Sequence, residues 1–461
     1  MSGRVVVERG ALTMTAALMD GARLVDIEMV DLLRPAVTDA LFVGRVERVD
    51  RQLDAAFLDL GEDGTAFLGA RDARPLREHH ERLPIGQLVQ EGQRLLVQGL
   101  REPLGDKGPR VTADVKLFGF FVILRPFAAA PEVPGRLPAN VADELRQRAE
   151  RLFAGRGVVL RRAAAAVADT VLLAEVATLD ERWARLRAEA DRRRTPGRLA
   201  TDEPLLERLL RRFLDDRYGS VAAADPALLS ELNGPLATRL AAGGVLVERL
   251  DTHRPAFEQA GVDDELDRAL AVEVAIPGGG TLRIEETAAC VAIDVDGGHR
   301  TPLDVNLAAT GEIARQLRLR NLGGTIVVDF VDLAARAQRL RLEDALRKAL
   351  RRDPLGVQQY PMSPLGLVEL SRPRRGASLA ARFSRACPSC AGSGRLPALA
   401  RAAEAVFRDL ATPPAPTELV LARDLAEFLR GDAAAAWDAL PARPHLRTDP
   451  ALAPGQWRRR L

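Results

Sequence analysis

Two aspartates set among β-branched residues are the first chemically informative feature of this chain. Asp294 lies in Val291-Ala292-Ile293-Asp294-Val295-Asp296, and Asp329 in Ile326-Val327-Val328-Asp329-Phe330-Val331-Asp332. Both runs predict strands. Burying a carboxylate is costly unless it is paired or coordinates a metal. Side chains two apart share a strand face, so Asp294 and Asp296 are expected to point the same way, and Asp332 away from Asp329. Asp294 and Asp329 are therefore the better pair, with Asp296 placed to assist. Hard oxygen ligands suit magnesium, which polarises phosphodiesters and lowers the pKa of a bound water. The competing reading makes these aspartates strand ends that cap loops.

A helix, expected over about Leu307 to Arg320, separates the two strands. Ile313 and Leu317 mark its apolar face, with Arg315 and Arg318 on another side at i,i+3 spacing. Asn321, Gly323 and Gly324 end the helix and turn the chain. Two readings fit the arginines: a solvated face, or a basic surface beside a metal site, as a phosphate polymer requires. Downstream, Cys387-Pro-Ser-Cys390 followed by Gly392 and Gly394 has the form of a zinc knuckle. A structural zinc takes four ligands, whereas this motif offers two and no histidine is close in sequence. Two chains sharing one ion, a redox pair and no role at all are the open alternatives. Cys290 adjoins an apolar strand and reads as a core thiol. Upstream, Phe57 and Phe67 lie on neighbouring strand-like runs; they pack in a core or stack bases on a barrel face. Lys107, in Gly105-Asp106-Lys107-Gly108, sits on a turn, to meet phosphate or simply to be solvated.

The elements that position these residues follow from pattern. With 461 residues, a prior of roughly one domain per 100–200 residues gives about three or four modules. A hydrophobic content of 47% and a net charge of +2 fit a globular chain and do not by themselves mark a nucleic-acid binder. Only Lys107, Lys116 and Lys348 are lysines, against 66 basic residues in all. Coding bias accounts for most of that preference, although guanidinium also suits phosphate. Three cysteines argue against a disulfide framework and for a reducing compartment. No signal peptide or membrane-spanning stretch is legible, so a cytoplasmic protein is expected. Alternation up to about Arg34 predicts short strands. Short strands with glycine turns from Ala40 to Ile123 predict a small barrel. Helical text runs from Asn140 to Arg194 and from Pro204 to Ala242, β-like text from Val272 to Val295, and an alanine-rich helical tail from Pro397. There is no internal repeat.

With those residues in view, the chain resembles the ribonuclease E/G family of bacterial endoribonucleases, as a short member without the long scaffold tail of the larger ones. The resemblance rests on Asn306-Leu307, Glu312-Ile-Ala-Arg-Gln-Leu-Arg-Leu-Arg320, Leu322-Gly-Gly324 and Ile326-Val-Val-Asp-Phe-Val-Asp332. Leu365-Gly-Leu-Val-Glu-Leu-Ser-Arg372, Cys387-Pro-Ser-Cys-Ala-Gly-Ser-Gly394, Ala55-Ala-Phe-Leu-Asp-Leu-Gly61 and Ala66-Phe67-Leu68 extend it. It implies a multidomain α/β and α+β fold. An RNase H-like platform (1–35 and 199–272) is split by an S1 OB-fold barrel (36–119) and a 5′-sensor-like domain (120–198). A DNase I-like catalytic domain (273–386), a zinc link (387–395) and a small C-terminal helical domain (396–461) follow. It implies Asp294 and Asp329 as the magnesium pair, with RNA gripped at Phe57, Phe67 and Lys107. It also implies Cys387 and Cys390 as zinc ligands shared between chains of a homodimer or higher oligomer. The implied reaction is hydrolysis of single-stranded, AU-rich RNA in processing, ribosomal RNA included, or decay, leaving a 5′-phosphate and a 3′-hydroxyl. This chain departs from the family at Asp296, where an Asn is usual, and at Arg162, where a Thr usually follows the sensor arginine that Arg161 matches. An extra carboxylate on the metal face binds metal or repels phosphate. The alternative function is therefore a catalytically weakened RNA-binding member acting as a zinc-linked scaffold.

Overall fold

Three antiparallel strands, Gly3–Arg9, Thr13–Asp20 and Arg23–Asp31, form from the alternating N-terminal text. Two later strands join them in parallel, Tyr218–Ala223 beside Gly3–Arg9 and Leu246–Arg249 beyond it. Neither was expected as a strand within or after the helical stretch to Ala242. Tyr-Gly-Ser-Val-Ala-Ala has weak β-propensity, and tertiary pairing overrides it. The computed structural model describes residues 3–34, 36–73, 83–103, 108–135, 137–200, 204–213, 218–374, 376–390, 392, 394–396, 398–414, 416–441 and 443–460. These fall into two units, Met1–Leu379 and Ala380–Leu461.

The expected barrel is present. Strands Leu41–Asp50, Ala55–Asp59, Thr65–Gly69, Arg110–Thr112 and Arg94–Arg101 pair in that order, and the last closes back on the first. Closure removes the edges that would otherwise template aggregation. At the seam Gly99 exchanges backbone hydrogen bonds with Asp39 and Ala40. A Cβ there would stand 1.8 Å from the Val37 carbonyl oxygen, so only glycine permits the approach. Phe42, Leu58, Leu60 and Leu68 fill the interior. The next segment forms the small sheet Leu117–Phe118, Val122–Leu124 and Val158–Leu160, covered by helices Ala139–Phe153 and Asp169–Arg192.

A six-stranded mixed sheet carries the aspartates. Its order is Glu273–Ala275, Thr281–Glu286, Val291–Asp296, Gly324–Asp329, Leu367–Arg372 and Gln358–Gln359. The two aspartate strands are parallel neighbours, which requires a crossover connection. That crossover is the helix Pro302–Leu319, which begins five residues earlier than expected. Thr301 caps it by accepting the Asp304 N–H, and Pro302 occupies its first position, a strong start signal. Ile313 and Leu317 pack with Ile293, Val295, Ile326 and Val328 under the sheet. The second aspartate strand stops at Asp329, so Asp332 lies beyond it.

The C-terminal unit corrects an expectation. Helices Leu399–Leu410, Arg423–Arg430 and Ala434–Asp438 are joined by a three-stranded sheet: Glu418–Leu421, flanked by His445–Thr448 and Trp457–Arg460. It is mixed α/β, not helical. Leu419 and Leu421 are buried against Val406, Leu425, Leu429 and Trp437, and a four-residue strand leaves little periodicity in alanine-rich text.

Candidate functional site

Asp294 and Asp329 occupy matching register positions on adjacent parallel strands. Along both strands the alternation is strict: Val291, Ile293, Val295, Ile326 and Val328 are buried, while Asp294, Asp296 and Asp329 are exposed. The aspartates thus share the open face of a sheet whose other face is core. Neighbouring strands lie about 4.8 Å apart, so two carboxylates 35 residues apart in sequence become close neighbours. Neither side chain makes a hydrogen bond or ion pair with another described residue. Asp296 follows on the same face and accepts the Gly298 N–H at 3.0 Å. Among the described residues no three or more His, Cys, Asp or Glu side chains converge as a ready-made metal cage. Two unpartnered carboxylates still fit magnesium, which is commonly held by one or two carboxylates plus waters and substrate phosphate.

The segment after Asp329 is pinned by a residue whose role the sequence pattern did not reveal. Asn306, fully buried in the crossover helix, donates from Nδ2 to the Val331 carbonyl at 2.7 Å and accepts the Val331 N–H at 3.1 Å. This bidentate clasp fixes where the chain leaves the strand and hence the end that carries Asp329. At the other end of the same strand Gly324 has φ +90°, and a Cβ there would meet the Arg374 guanidinium at 2.7 Å.

Arg315 and Arg318 do not face the aspartates, contrary to the reading that made them an RNA surface. Their helix packs beneath the sheet, on the side opposite the carboxylates. Arg318 bonds Asp26 at 2.8 Å, and Arg315 bonds Glu312 and the Leu24 carbonyl. Both side chains are largely buried. They join the crossover helix to the strand Arg23–Asp31. Burial pushes the Asp26 carboxyl up, but Arg212 and Arg318 outweigh it and hold the pKa below the usual 3.8. Glu312 is likewise opposed by burial yet lowered overall, through Arg315, Gln316 and Arg23. An i,i+3 arginine pair carries no mark that separates an RNA contact from an interdomain ion pair.

On the barrel, Phe57 and Phe67 are cross-strand partners, half-buried, on the outer face. Their rings meet edge to face at 5.9 Å. Arg48 lies over Phe57 at 4.3 Å and Arg110 over Phe67 at 5.9 Å. Arg48 and Arg110 are also the register partners of those phenylalanines, so four strands present an Arg–Phe–Phe–Arg row. The two phenylalanines alone were legible; the flanking arginines needed the register. Aromatic faces between cations suit stacked bases and their phosphates. Replacing Phe57 with Ala is expected to weaken single-stranded RNA binding by about 1–3 kcal/mol, ~5- to 150-fold, in fluorescence anisotropy at fixed salt. Lys107 lies outside the described residues.

The Arg161 guanidinium is directed at the backbone, toward the Gly119 and Arg211 carbonyls, while Arg162 is exposed at the start of a 3-10 turn. Glu175 packs against Gly119 and accepts the N–H groups of Phe120, Phe121 and Val122 at 2.7–3.0 Å. Burial dominates there and raises its pKa. In the C-terminal unit, Cys387 and Cys390 lie three residues apart and form no disulfide. Backbone N–H groups of Cys390 and Ser389 hold the Cys387 thiol below its ordinary pKa, as suits a thiolate ligand. Cys290 bonds within its own turn, to Thr287.

Comparison with known proteins bears on the same regions. The profile of the Ribonuclease E/G family matches residues 116–375, the stretch that contains both aspartates. Ribonuclease G of Salmonella typhimurium is 31% identical over 412 residues, spanning 86% of this chain and 84% of that protein. Ribonuclease G of Escherichia coli is 31% identical over 415 residues, with the same shares covered. Ribonuclease E of Nostoc sp. is 33% identical over 383 residues, 77% of this chain and 54% of that longer protein. No helix among the described residues is long and apolar enough to cross a membrane. Matched through its central sheet and over most of its length to relatives of similar size, this chain belongs to the ribonuclease E/G family of endoribonucleases.

Proposed function

We propose that the chain is a magnesium-dependent endoribonuclease that hydrolyses single-stranded RNA, AU-rich by family resemblance, in RNA processing or decay. The observation that carries this reading is the in-register, unpartnered pair Asp294 and Asp329 on the open face of a sheet. These two carboxylates would hold the ion, which when bound supplies a Lewis acid for the scissile phosphodiester. The buried side of each strand fixes the carboxylates rigidly, and the Asn306 clasp keeps the second strand's end in place. Water adds at phosphorus and the bond to the 3′ oxygen breaks, leaving a 5′-phosphate and a 3′-hydroxyl. Asp296 assists from the same face, with its carboxylate tied toward Gly298. The Arg48–Phe57–Phe67–Arg110 row grips RNA away from the cut, with Lys107 as a further phosphate contact. Arg161 and Arg162 add phosphate attraction in the sensor-like region. The strand order of the N-terminal sheet supports an RNase H-like platform.

A magnesium titration on one single-stranded RNA bearing either 5′-monophosphate or 5′-hydroxyl tests the reading. Cleavage that rises with magnesium and stops in chelator is the expected result; no cleavage at any magnesium level rejects it.

Cys387 and Cys390 supply two of the four ligands of a structural zinc, so a second chain is read as supplying the other pair in a homodimer or higher oligomer. About half a zinc per chain is then expected by metal analysis. Cys387→Ser is expected to release the zinc and shift sedimentation to the monomer; one zinc per chain would reject the shared site.

A further inference from the structure

The row of register partners across the aspartate sheet runs Glu273, Arg283, Asp294, Asp329. Directly opposite residues in antiparallel strands have Cβ atoms about 4.5–5.5 Å apart, so Arg283 stands immediately beside Asp294 on the open face. That face is otherwise acidic: Glu273, Glu285, Asp294, Asp296, Asp329 and Glu369 are exposed on it. Among the described strand positions of this face, Arg283 is the single cation. A polyanion approaching the aspartates therefore meets one guanidinium there.

The guanidinium is already oriented. Its Nε donates to Glu285 at 2.8 Å and its Nη1 to Glu273 at 3.0 Å. Nη2 has no partner among the described residues. Arg283 does not pair with Asp294, although the two are register partners, so the metal-facing carboxylate stays open. As a stability device the triplet is weak, because all three side chains are at least half exposed and exposed pairs contribute little. As a binding device it is well made. A planar fork held on two donors presents the third to an incoming oxygen with little ordering left to do.

We propose that Arg283 binds a backbone phosphate of the RNA beside the scissile position, with Glu273 and Glu285 holding its guanidinium in place. This rests on the reading of Asp294 and Asp329 as the cleavage pair. The phosphate oxygen takes Nη2 directly, and no bond is made or broken at Arg283.

The test measures binding of a single-stranded oligoribonucleotide in chelator, across a range of salt, for the wild-type chain, Arg283→Gln and Arg283→Lys. One lost phosphate contact on a single strand lowers the slope of log K against log salt by about 0.7. Arg283→Gln is expected to show that drop and Arg283→Lys to retain the wild-type slope, with thermal midpoints unchanged. An unaltered slope in Arg283→Gln overturns the proposal. Magnesium-stimulated cleavage by the wild-type chain is read in parallel. Its absence would reject the cleavage pair itself, an outcome distinct from an unchanged binding slope in a chain that cuts.

Discussion

Asp294→Asn and Asp329→Asn are each expected to reduce magnesium-stimulated cleavage of single-stranded RNA by on the order of 10³-fold. Lewis-acid stabilisation by a bound ion contributes several kcal/mol to the transition state, and each ~1.4 kcal/mol is tenfold in rate. The two side chains sit at one register level and face solvent, with no other described residue to satisfy them. Asparagine keeps their shape and removes the charge that holds the ion. Folding should be untouched, because both positions lie on the open face and the buried side of each strand is unaltered. RNA binding in chelator should also persist, since the Phe57 and Phe67 row lies on a different module. A variant that still cuts at the wild-type rate at every magnesium concentration rejects the assignment of that residue. Loss of both binding and cleavage would indicate unfolding, which circular dichroism distinguishes.

Asp26→Ala has the largest expected effect on stability, a loss of about 3–5 kcal/mol. Asp26 is 1% exposed and accepts from Arg318 at 2.8 Å and Arg212 at 3.1 Å. It therefore joins three elements: its own strand, the helix Leu205–Phe213 and the crossover helix. Removing one partner of a buried ion pair leaves uncompensated charge, which costs far more than the intact pair contributes. Here two guanidinium groups would lose the same buried carboxylate at once, Arg212 keeping its ion pair with Glu28 at 3.0 Å. A clear fall in the denaturant midpoint checks this, and an unfolding free energy within about 0.5 kcal/mol of wild type, as is usual for a surface substitution, would contradict it. The same carboxylate sets a pH dependence. Its folded pKa lies below the ordinary 3.8. Its stabilisation is thus fully present above that value and is lost as pH falls through the lower folded value. Glu312, also lowered, adds to the same acid-side loss, so the wild-type chain should lose stability more steeply below about pH 4 than Asp26→Ala does.

The residue pattern alone determined a good deal. The two β-branched runs marked strands at Val291–Asp296 and Ile326–Asp329, and the two-residue repeat of strand side chains put Asp294 and Asp296 on one face. The same rule put Phe57 and Phe67 out of phase with Leu58 and Leu68, and the long signature around Asn306 to Asp332 pointed to the family. Helix and strand boundaries blurred where local signals were weak, as at Tyr218–Ala223 and Glu418–Leu421.

What only the tertiary structure decided is pairing. Periodicity tells which residues share a face but not which strand lies beside which, or in what register, because that is fixed by contacts between distant segments. So the register that sets Asp294 level with Asp329, already expected as a pair, came only with the assembled sheets, as did the flanking of Phe57 and Phe67 by Arg48 and Arg110 and the place of Arg283 beside Asp294. The arginines of the crossover helix show the same limit from the other side. Arg315 and Arg318 looked available to RNA in sequence, yet the fold turns them toward Glu312, Asp26 and the strand Arg23–Asp31. A charge two or three residues from an apolar stripe belongs to solvent or to a neighbouring module, and the packing of the modules makes the choice.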